Sequence, residues 1–137
     1  MVEVGIMKEI TVLAKNEVGS LAQIAEILGG IGVNIEAISA SSGENNRAVF
    51  RIVTNDAVTA KKALSKIPDL KINDSDIIVM KMMNRPGELG KLTRKLANRG
   101  VNLESVYIVS RAQDFTEVAI KPSEHDFSKA KEVLGVK

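Results

Sequence analysis

Residues 84–89 read Asn84-Arg85-Pro86-Gly87-Glu88-Leu89, and they lie between an alternating apolar pattern and an amphipathic one. A proline–glycine pair at that place indicates a tight turn from a strand into a helix. The same arrangement occurs 68 positions earlier, as Asn16-Glu17-Val18-Gly19-Ser20-Leu21. More matches follow at the same spacing, without a gap: Leu28 with Leu96, Gly32 with Gly100, Val33 with Val101, Asn34 with Asn102, and Glu36 with Glu104. This regularity indicates an internal duplication.

The first copy has the pattern of a β-α-β-β-α-β unit. Alternating apolar residues predict strands over residues 6–15, 33–41 and 47–54, and a short fourth strand over residues 70–72. The helical spacing of Leu21, Ile24, Ala25 and Leu28 predicts a helix over residues 20–29 with those four residues buried. Asn55 or Asp56 is expected to cap a second helix. The fold class is therefore α+β, with ferredoxin-like units and antiparallel sheets.

The second copy repeats this order but ends early. We expect strands over residues 77–83, 102–110 and 115–121, and helices over residues 88–97 and 126–134. Three residues follow the last helix, so this unit lacks most of its last strand. Because an uncovered sheet edge tends to find a partner, another segment of this chain or of a second chain should lie there. The polar stretch Asn73-Asp74-Ser75-Asp76 marks the boundary, which gives domains 1–73 and 74–137.

Composition narrows the possible functions. The 137 residues are 45% hydrophobic and 26% charged, as in ordinary soluble domains. Each copy has about 65 residues, a size that is marginal alone, so the copies should pack on each other or on another chain, and we expect at least a homodimer. There is no cysteine and one histidine, His125, so disulfides and thiolate metal sites are excluded and we expect neither a metal nor a cofactor.

Charge and hydropathy indicate a cytoplasmic protein with neither nucleic acid nor membrane as partner. The net charge is +2, and lysines and arginines are spread along the chain without a dense block. Apolar runs do not reach the roughly 20 residues of a membrane helix, and the first residues do not have a signal-peptide pattern.

The repeated motif resembles the ACT domain. The strand, the Asn-x-x-Gly-x-Leu turn, the helix and the following Gly-Val-Asn-Ile/Leu-Glu segment match that family in both copies, although Val18 stands where proline is common. The segments Asn34–Glu36 and Asn102–Glu104 also resemble the ACT part of the small regulatory subunit of acetolactate synthase. The tandem arrangement is similar to stand-alone double-ACT proteins and to the regulatory tails of aspartate kinases.

The resemblance implies a regulatory protein that binds a small ligand, usually a free amino acid, at an interface between ACT units. The loop after the first strand of one unit and the start of the second strand of the next would form the site. On this chain the corresponding residues are Asn84, Pro86, Gly87, Glu88, Leu89, Asn102 and Leu103 in the second copy, and Asn16, Gly19, Ser20, Leu21, Asn34 and Ile35 in the first.

The residues themselves fit this interpretation and also a purely structural one. Glycine lets a backbone approach closely, and the helix that starts after it presents unpaired N–H groups that suit a carboxylate. Asparagine offers acceptors for an ammonium group. The glycines and asparagines are equally suited to making and stabilising turns. The sequence leaves both interpretations open.

The sequence also bears on three other functions. The protein could be a dedicated regulatory subunit of an amino-acid biosynthetic enzyme, which would then be its partner. An RNA-binding role is disfavoured, because RNA-recognition domains with this strand order stack bases on aromatic residues and the central strands here offer Phe50 and Val118. Catalysis is disfavoured because no nucleophile with a base, and no metal site, is evident. We expect that the chain is not an enzyme.

Overall fold

The computed structural model describes residues 4–136, which form two compact units. The first unit is Lys8–Ser75, and the second combines residues 4–7 with residues 76–136. Strands β1 (Val4–Lys15) and β4 (Lys71–Met83) each contribute to both units, because the unit boundaries fall inside them. The division into domains 1–73 and 74–137 stays a prediction, since compactness alone defines these units.

The first unit has the predicted β-α-β-β-α-β order. After β1 come α1 (Ser20–Gly30), β2 (Ile35–Ser42), β3 (Arg47–Thr54), α2 (Ala57–Leu64) and the start of β4. The strand order is β2-β3-β1-β4, and β3 is antiparallel to both β1 and β2. Asp56 caps α2, since its side chain accepts hydrogen bonds from the Thr59 N–H at 3.1 Å and the Thr59 hydroxyl at 2.7 Å. The predicted fold class is confirmed for this unit.

The second unit takes its fourth strand from the other end of the chain. It contains the end of β4, α3 (Glu88–Asn98), β5 (Leu103–Arg111), β6 (Phe115–Pro122), a 3₁₀ turn (Glu124–Asp126) and α4 (Phe127–Leu134). On the other side of β4 lies β1, which contributes residues 4–7 to this unit, so the order is β1-β4-β6-β5. The predicted edge is therefore covered by a segment of the same chain.

The polar stretch Asn73–Asp76, which we expected to mark the boundary between the domains, is part of the continuous strand β4. Asparagine, aspartate and serine are depleted in strands, yet neither glycine nor proline interrupts this stretch, and the neighbouring β1 supplies hydrogen-bonding partners. The side chains of Asn73, Asp74 and Asp76 are exposed, so the strand buries little of their polarity. Extended conformation therefore continues from the first unit into the second.

Each unit has one apolar core between its sheet and its helices. In the first unit it contains Ile10, Val12, Ile24, Leu28, Phe50 and Ile52, and in the second Ile78, Met80, Leu92, Leu96, Val118 and Ile120. The predicted helix stripes are wrong in their first turn. Leu21 is 38% exposed and Leu89 is 41% exposed, because the start of each helix lies beyond the core.

The duplication extends to irregularities in the sheets. The edge strands β2 and β5 each have a β-bulge at equivalent positions, at Glu36 and Glu104. β5 has a further bulge at Val109, which shifts Ser110 and Arg111 by one place against β6. At the corresponding place in the first unit, β2 pairs with β3 in unbroken register. The two units therefore differ in strand register near the end of their edge strands, just before the hairpin turns.

Candidate functional site

The first unit has a surface cavity of about 390 Å³ at the turn between β1 and α1. This volume falls in the range of roughly 300–1,000 Å³ that is usual for small-molecule sites. One side is the turn and the start of the helix, and the other is the end of the β2–β3 hairpin. The lining residues are Asn16, Glu17, Gly19, Ser20, Leu21 and Ala22 on the first side, and Ala40, Ser41, Ser42, Ala48 and Phe50 on the second. We call this cavity the first elbow.

Backbone conformation and short hydrogen bonds shape the turn. Gly19 has φ 90°, a left-handed conformation that other residues adopt at a cost. A Cβ atom on Gly19 would meet nothing within 4 Å, so the conformation, rather than a crowded approach, explains the glycine. The Asn16 N–H donates to Asn46 O at 2.9 Å, and the Ser20 hydroxyl donates to Lys15 O at 2.8 Å. The first bond joins the turn to the β2–β3 hairpin, and the second ties the start of α1 to the end of β1.

The start of α1 offers free hydrogen-bond donors to this cavity. The first α-helical bond runs from the Gln23 N–H to Gly19 O at 2.9 Å, and no side chain caps the helix. The N–H groups of Leu21 and Ala22 therefore have no acceptor inside the helix. They add to the positive end of the helix dipole, which is equivalent to about half an elementary charge. Leu21, exposed against expectation, stands beside these donors.

Two predicted site residues of the first copy lie elsewhere in the unit. The Asn34 N–H donates to Asn55 Oδ1 at 2.9 Å, and the Asn55 N–H donates to Asn34 O at 3.3 Å. Ile35 pairs with Thr54 on β3, whereas Lys15, next to the elbow, pairs with Arg47. Seven residues of extended strand separate these places by about 23 Å. Within the unit, Asn16, Gly19, Ser20 and Leu21 thus come together, and Asn34 and Ile35 do not join them.

The equivalent turn of the second unit carries charged side chains that pair with each other. Gly87 has φ 88°, as at Gly19, but Arg85 donates a hydrogen bond to the Glu88 carboxylate through Nε. Lys91 Nζ lies 3.7 Å from the same carboxylate oxygen. The hydrogen bond from Arg85 is the main cause that lowers the pKa of Glu88 below its usual 4.5, and the positive charges of Arg85 and Lys91 add to it. Glu88 therefore stays ionised with its partners in place.

The remaining predicted residues of the second copy are held by bonds inside their unit. Asn84 Nδ2 donates to Ala112 O at 2.8 Å and so fixes the β5–β6 turn. Asn102 Nδ2 donates to Ser123 Oγ at 2.9 Å, at the opposite end of the sheet from Asn84. Pro86 and Leu89 are exposed in the turn and the first helical turn, and Leu103 packs on the core beside Asn102. The structural role of the asparagines is thus directly visible, and ligand contact stays a prediction.

The sequence-based prediction missed one wall of the first elbow. Ala40, Ser41, Ser42, Ala48 and Phe50 line it from β2 and β3. A signal was present, because comparison of the two copies finds small residues in the first where the second has larger ones, as with Ala40 and Ile108 or Ala48 and Thr116. The resemblance to a family predicted the asparagines as site residues and did not predict this wall.

Residues 4–136 contain no group of three or more histidine, cysteine, aspartate or glutamate side chains placed to hold a metal ion. No helix within that range is both long enough and apolar enough to cross a membrane.

The family model of the ACT domain matches residues 8–70 and 77–135. The chain belongs to the ACT domain family. Both matches fall within the two compact units, so each unit is one ACT unit. No curated protein matches the chain.

Solved structures with the same tandem fold include proteins from three bacteria. Protein BT0572 from Bacteroides thetaiotaomicron is 26% identical, with a TM-score of 0.83 over 96% of this chain and 88% of that one. The regulatory subunit of aspartate kinase from Thermus thermophilus, in its ligand-free form, is 16% identical, with a TM-score of 0.69 over 98% and 95% of the two chains. Its counterpart from Thermus flavus is 17% identical, with a TM-score of 0.62 over 98% and 94%.

Proposed function

We propose that this ACT protein is a cytoplasmic regulatory protein that binds a free amino acid and passes the signal to a partner enzyme or regulator. The first elbow, a cavity of about 390 Å³ beside an uncapped helix start, is the observation that carries this proposal. We propose no catalytic role for the chain.

The chemistry of the first elbow complements a zwitterion. A ligand carboxylate would accept hydrogen bonds from the N–H groups of Leu21 and Ala22, where the helix dipole favours negative charge. Glu17 and Asn16 line the same side of the cavity, and their side chains have oxygens that could accept hydrogen bonds from an α-ammonium group. Ser41 and Ser42 lie on the facing wall, where Ser42 shares the sheet face of Ala48 and Phe50. A ligand this small is expected to bind with a Kd on the order of micromolar to millimolar, which suits a metabolite sensor.

A second copy of the chain would complete the site. Val18 is the residue next to Gly19 at the rim of the first elbow, and its side chain is fully exposed. An apolar side chain in that position gains free energy when another surface covers it. We therefore propose that an ACT unit of a second copy closes over the elbow, in keeping with the expected homodimer. The ligand contacts predicted for Asn34, Ile35, Asn102 and Leu103 would be made from this second copy.

Binding is tested by calorimetry and thermal shift against each of the twenty amino acids. The Ala22→Asp variant places a carboxylate among the free N–H groups, a change that the helix tolerates because acidic residues suit its first turn. We expect this variant to lose binding and keep its fold. Gly90→Asp is the matched control, because Gly90 is the equivalent residue of the second unit. If the wild type shows no binding to any of the twenty amino acids, the proposal is overturned.

A second candidate is a separate regulatory subunit of one amino-acid biosynthetic enzyme, such as acetolactate synthase. The match along 98% of this chain to a regulatory subunit of aspartate kinase favours a role as a separate subunit, although that likeness is one of fold. Purification of the tagged chain from its native cells decides between the two. A stoichiometric biosynthetic enzyme in the eluate supports the subunit role, and a homo-oligomer alone supports the free sensor.

A further inference from the structure

We infer that the chain binds one neutral amino acid, in the first elbow, and that the equivalent place in the second unit does not take this ligand. The inference rests on the proposed function and adds the number of sites and the class of ligand. The comparison of the two units, position by position in the sheet, carries it. We call the place in the second unit the second elbow.

The charges of the two elbows are different. Glu17 and Ser20 in the first are replaced by Arg85 and Glu88 in the second. Arg85 and Glu88 are paired with each other, so the second elbow supplies both ends of an ion pair from its own chain. Glu17 lines the cavity, and within the described residues it has no ion-pair partner. A zwitterionic ligand would therefore supply a positive charge for Glu17 in the first elbow, whereas the charges of the second elbow are already paired with each other.

The far walls differ in size and charge as well. In the first elbow Ala40 lies opposite Phe50, and Ser42 lies opposite Ala48. In the second, Ile108 lies opposite Val118, and the bulge at Val109 places Arg111 opposite Thr116. In the second elbow isoleucine replaces alanine and arginine replaces serine, so the side chains at its mouth are larger. Ile108 there is 54% exposed. These two substitutions are expected to weaken binding of a small neutral ligand in the second elbow, as clashing or charged residues do in sites that reject a ligand.

The lining of the first elbow also limits the class of ligand. Glu17 is the one charged residue among the lining residues, and Leu21, Ala48 and Phe50 are apolar residues of the lining. A second carboxylate on the ligand would meet Glu17 without a lysine or arginine on the wall to offset it. With Glu17 occupied by the α-ammonium group, a second positive charge on the ligand would likewise find no carboxylate on the wall, so the side chain of the ligand is uncharged and fits among small apolar groups and serine side chains.

Two exchange variants test the inference by calorimetry, with glycine, L-alanine, L-serine, L-threonine, L-valine and L-leucine as neutral probes and L-aspartate as the acidic one. Ala40→Ile with Ser42→Arg gives the first elbow the residues of the second. Both positions are exposed on an edge strand, so the fold tolerates the change. The reverse exchange, Ile108→Ala with Arg111→Ser, is the matched control.

We expect one equivalent of a neutral probe per wild-type chain, a Kd raised about tenfold or more by the first exchange, and no change of Kd by the second. Two equivalents per chain, an unaltered Kd after the first exchange, or a preference for L-aspartate would overturn the inference and leave amino-acid binding intact. If none of the twenty amino acids binds to the wild type, the proposed function fails and the inference fails with it.

Discussion

The backbone N–H of Asn102 donates a hydrogen bond of 2.9 Å to the buried carboxylate of Asp126. This bond ties the start of β5 to the turn that precedes α4, and Ser123 strengthens it through its N–H bond to Asn102 O at 2.9 Å. In the first unit the corresponding acceptor is a different residue, because Asn55 accepts the hydrogen bond from the Asn34 N–H at 2.9 Å. Both asparagines thus fix the junction between the second strand and the second helix of their unit.

Removal of this carboxylate should destabilise the protein. Asp126→Ala leaves the Asn102 N–H without its acceptor in a partly buried place, and we expect a loss of about 1–3 kcal/mol in the free energy of unfolding. Urea denaturation at neutral pH measures it. Asp126→Asn keeps an acceptor oxygen of the same reach and should lose less. Equal stability of Asp126→Ala and wild type would contradict the assigned role.

Two glycine substitutions should have opposite signs although neither creates a clash. A Cβ atom meets nothing within 4 Å at Gly19 or at Gly29. Gly19 has φ 90°, so Gly19→Ala should cost roughly 1–2 kcal/mol of stability. Gly29 lies inside α1, where alanine is favoured, so Gly29→Ala should stabilise by about 0.4–1 kcal/mol. Chemical denaturation of the two variants side by side checks this, and a neutral effect of Gly19→Ala would argue against the left-handed turn.

The Asp56 cap should make stability depend on pH in acid. The hydroxyl and the N–H of Thr59 lower the pKa of Asp56 below its usual 3.8 in the folded protein. A carboxyl group with a lower pKa in the folded state stabilises the fold above its unfolded pKa, and this contribution is lost as the pH falls through the folded pKa. Asp56→Asn retains an acceptor for the cap but does not titrate.

The measurement is the free energy of unfolding of wild type and Asp56→Asn from neutral pH to below 3.8. We expect the wild type to be the more stable protein at neutral pH and to lose that advantage on acidification. A difference between the two proteins that stays constant over the whole range would show that the carboxylate does not act as described.

The strand that residues 4–7 add to the second unit should protect β4. Deletion of residues 1–7 uncovers one edge of β4 in the second unit, so amide hydrogen exchange over residues 76–83 should become faster. Ile6→Pro removes one strand donor and should act in the same direction, whereas Ile6→Thr keeps the donor and serves as its control. Unchanged exchange in both the deletion and the proline variant would contradict this strand order.

The sequence alone was sufficient for the duplication, the element order and most of the two cores, because period-2 and helical patterns report burial directly. It misjudged Leu21 and Leu89, since helical periodicity does not show how far a core extends along a helix. It took Asn73–Asp76 as the boundary between the domains and did not predict that this stretch is part of one continuous strand, because strand propensity cannot anticipate that β1 lies alongside. Ala40 and Ser42 were missed as site residues, because a cavity wall depends on the register of β2 against β3.

The central claim, a ligand site in the first elbow, is tested most directly by the amide chemical shifts of the full chain during titration with the neutral amino acids. The account predicts saturable shifts of the Ser20, Leu21 and Ala22 amides together with those of Ser41 and Ser42, while Leu89 and Gly90 stay in place. Shifts confined to Leu89 and Gly90, or no saturable shift in either elbow, would contradict it.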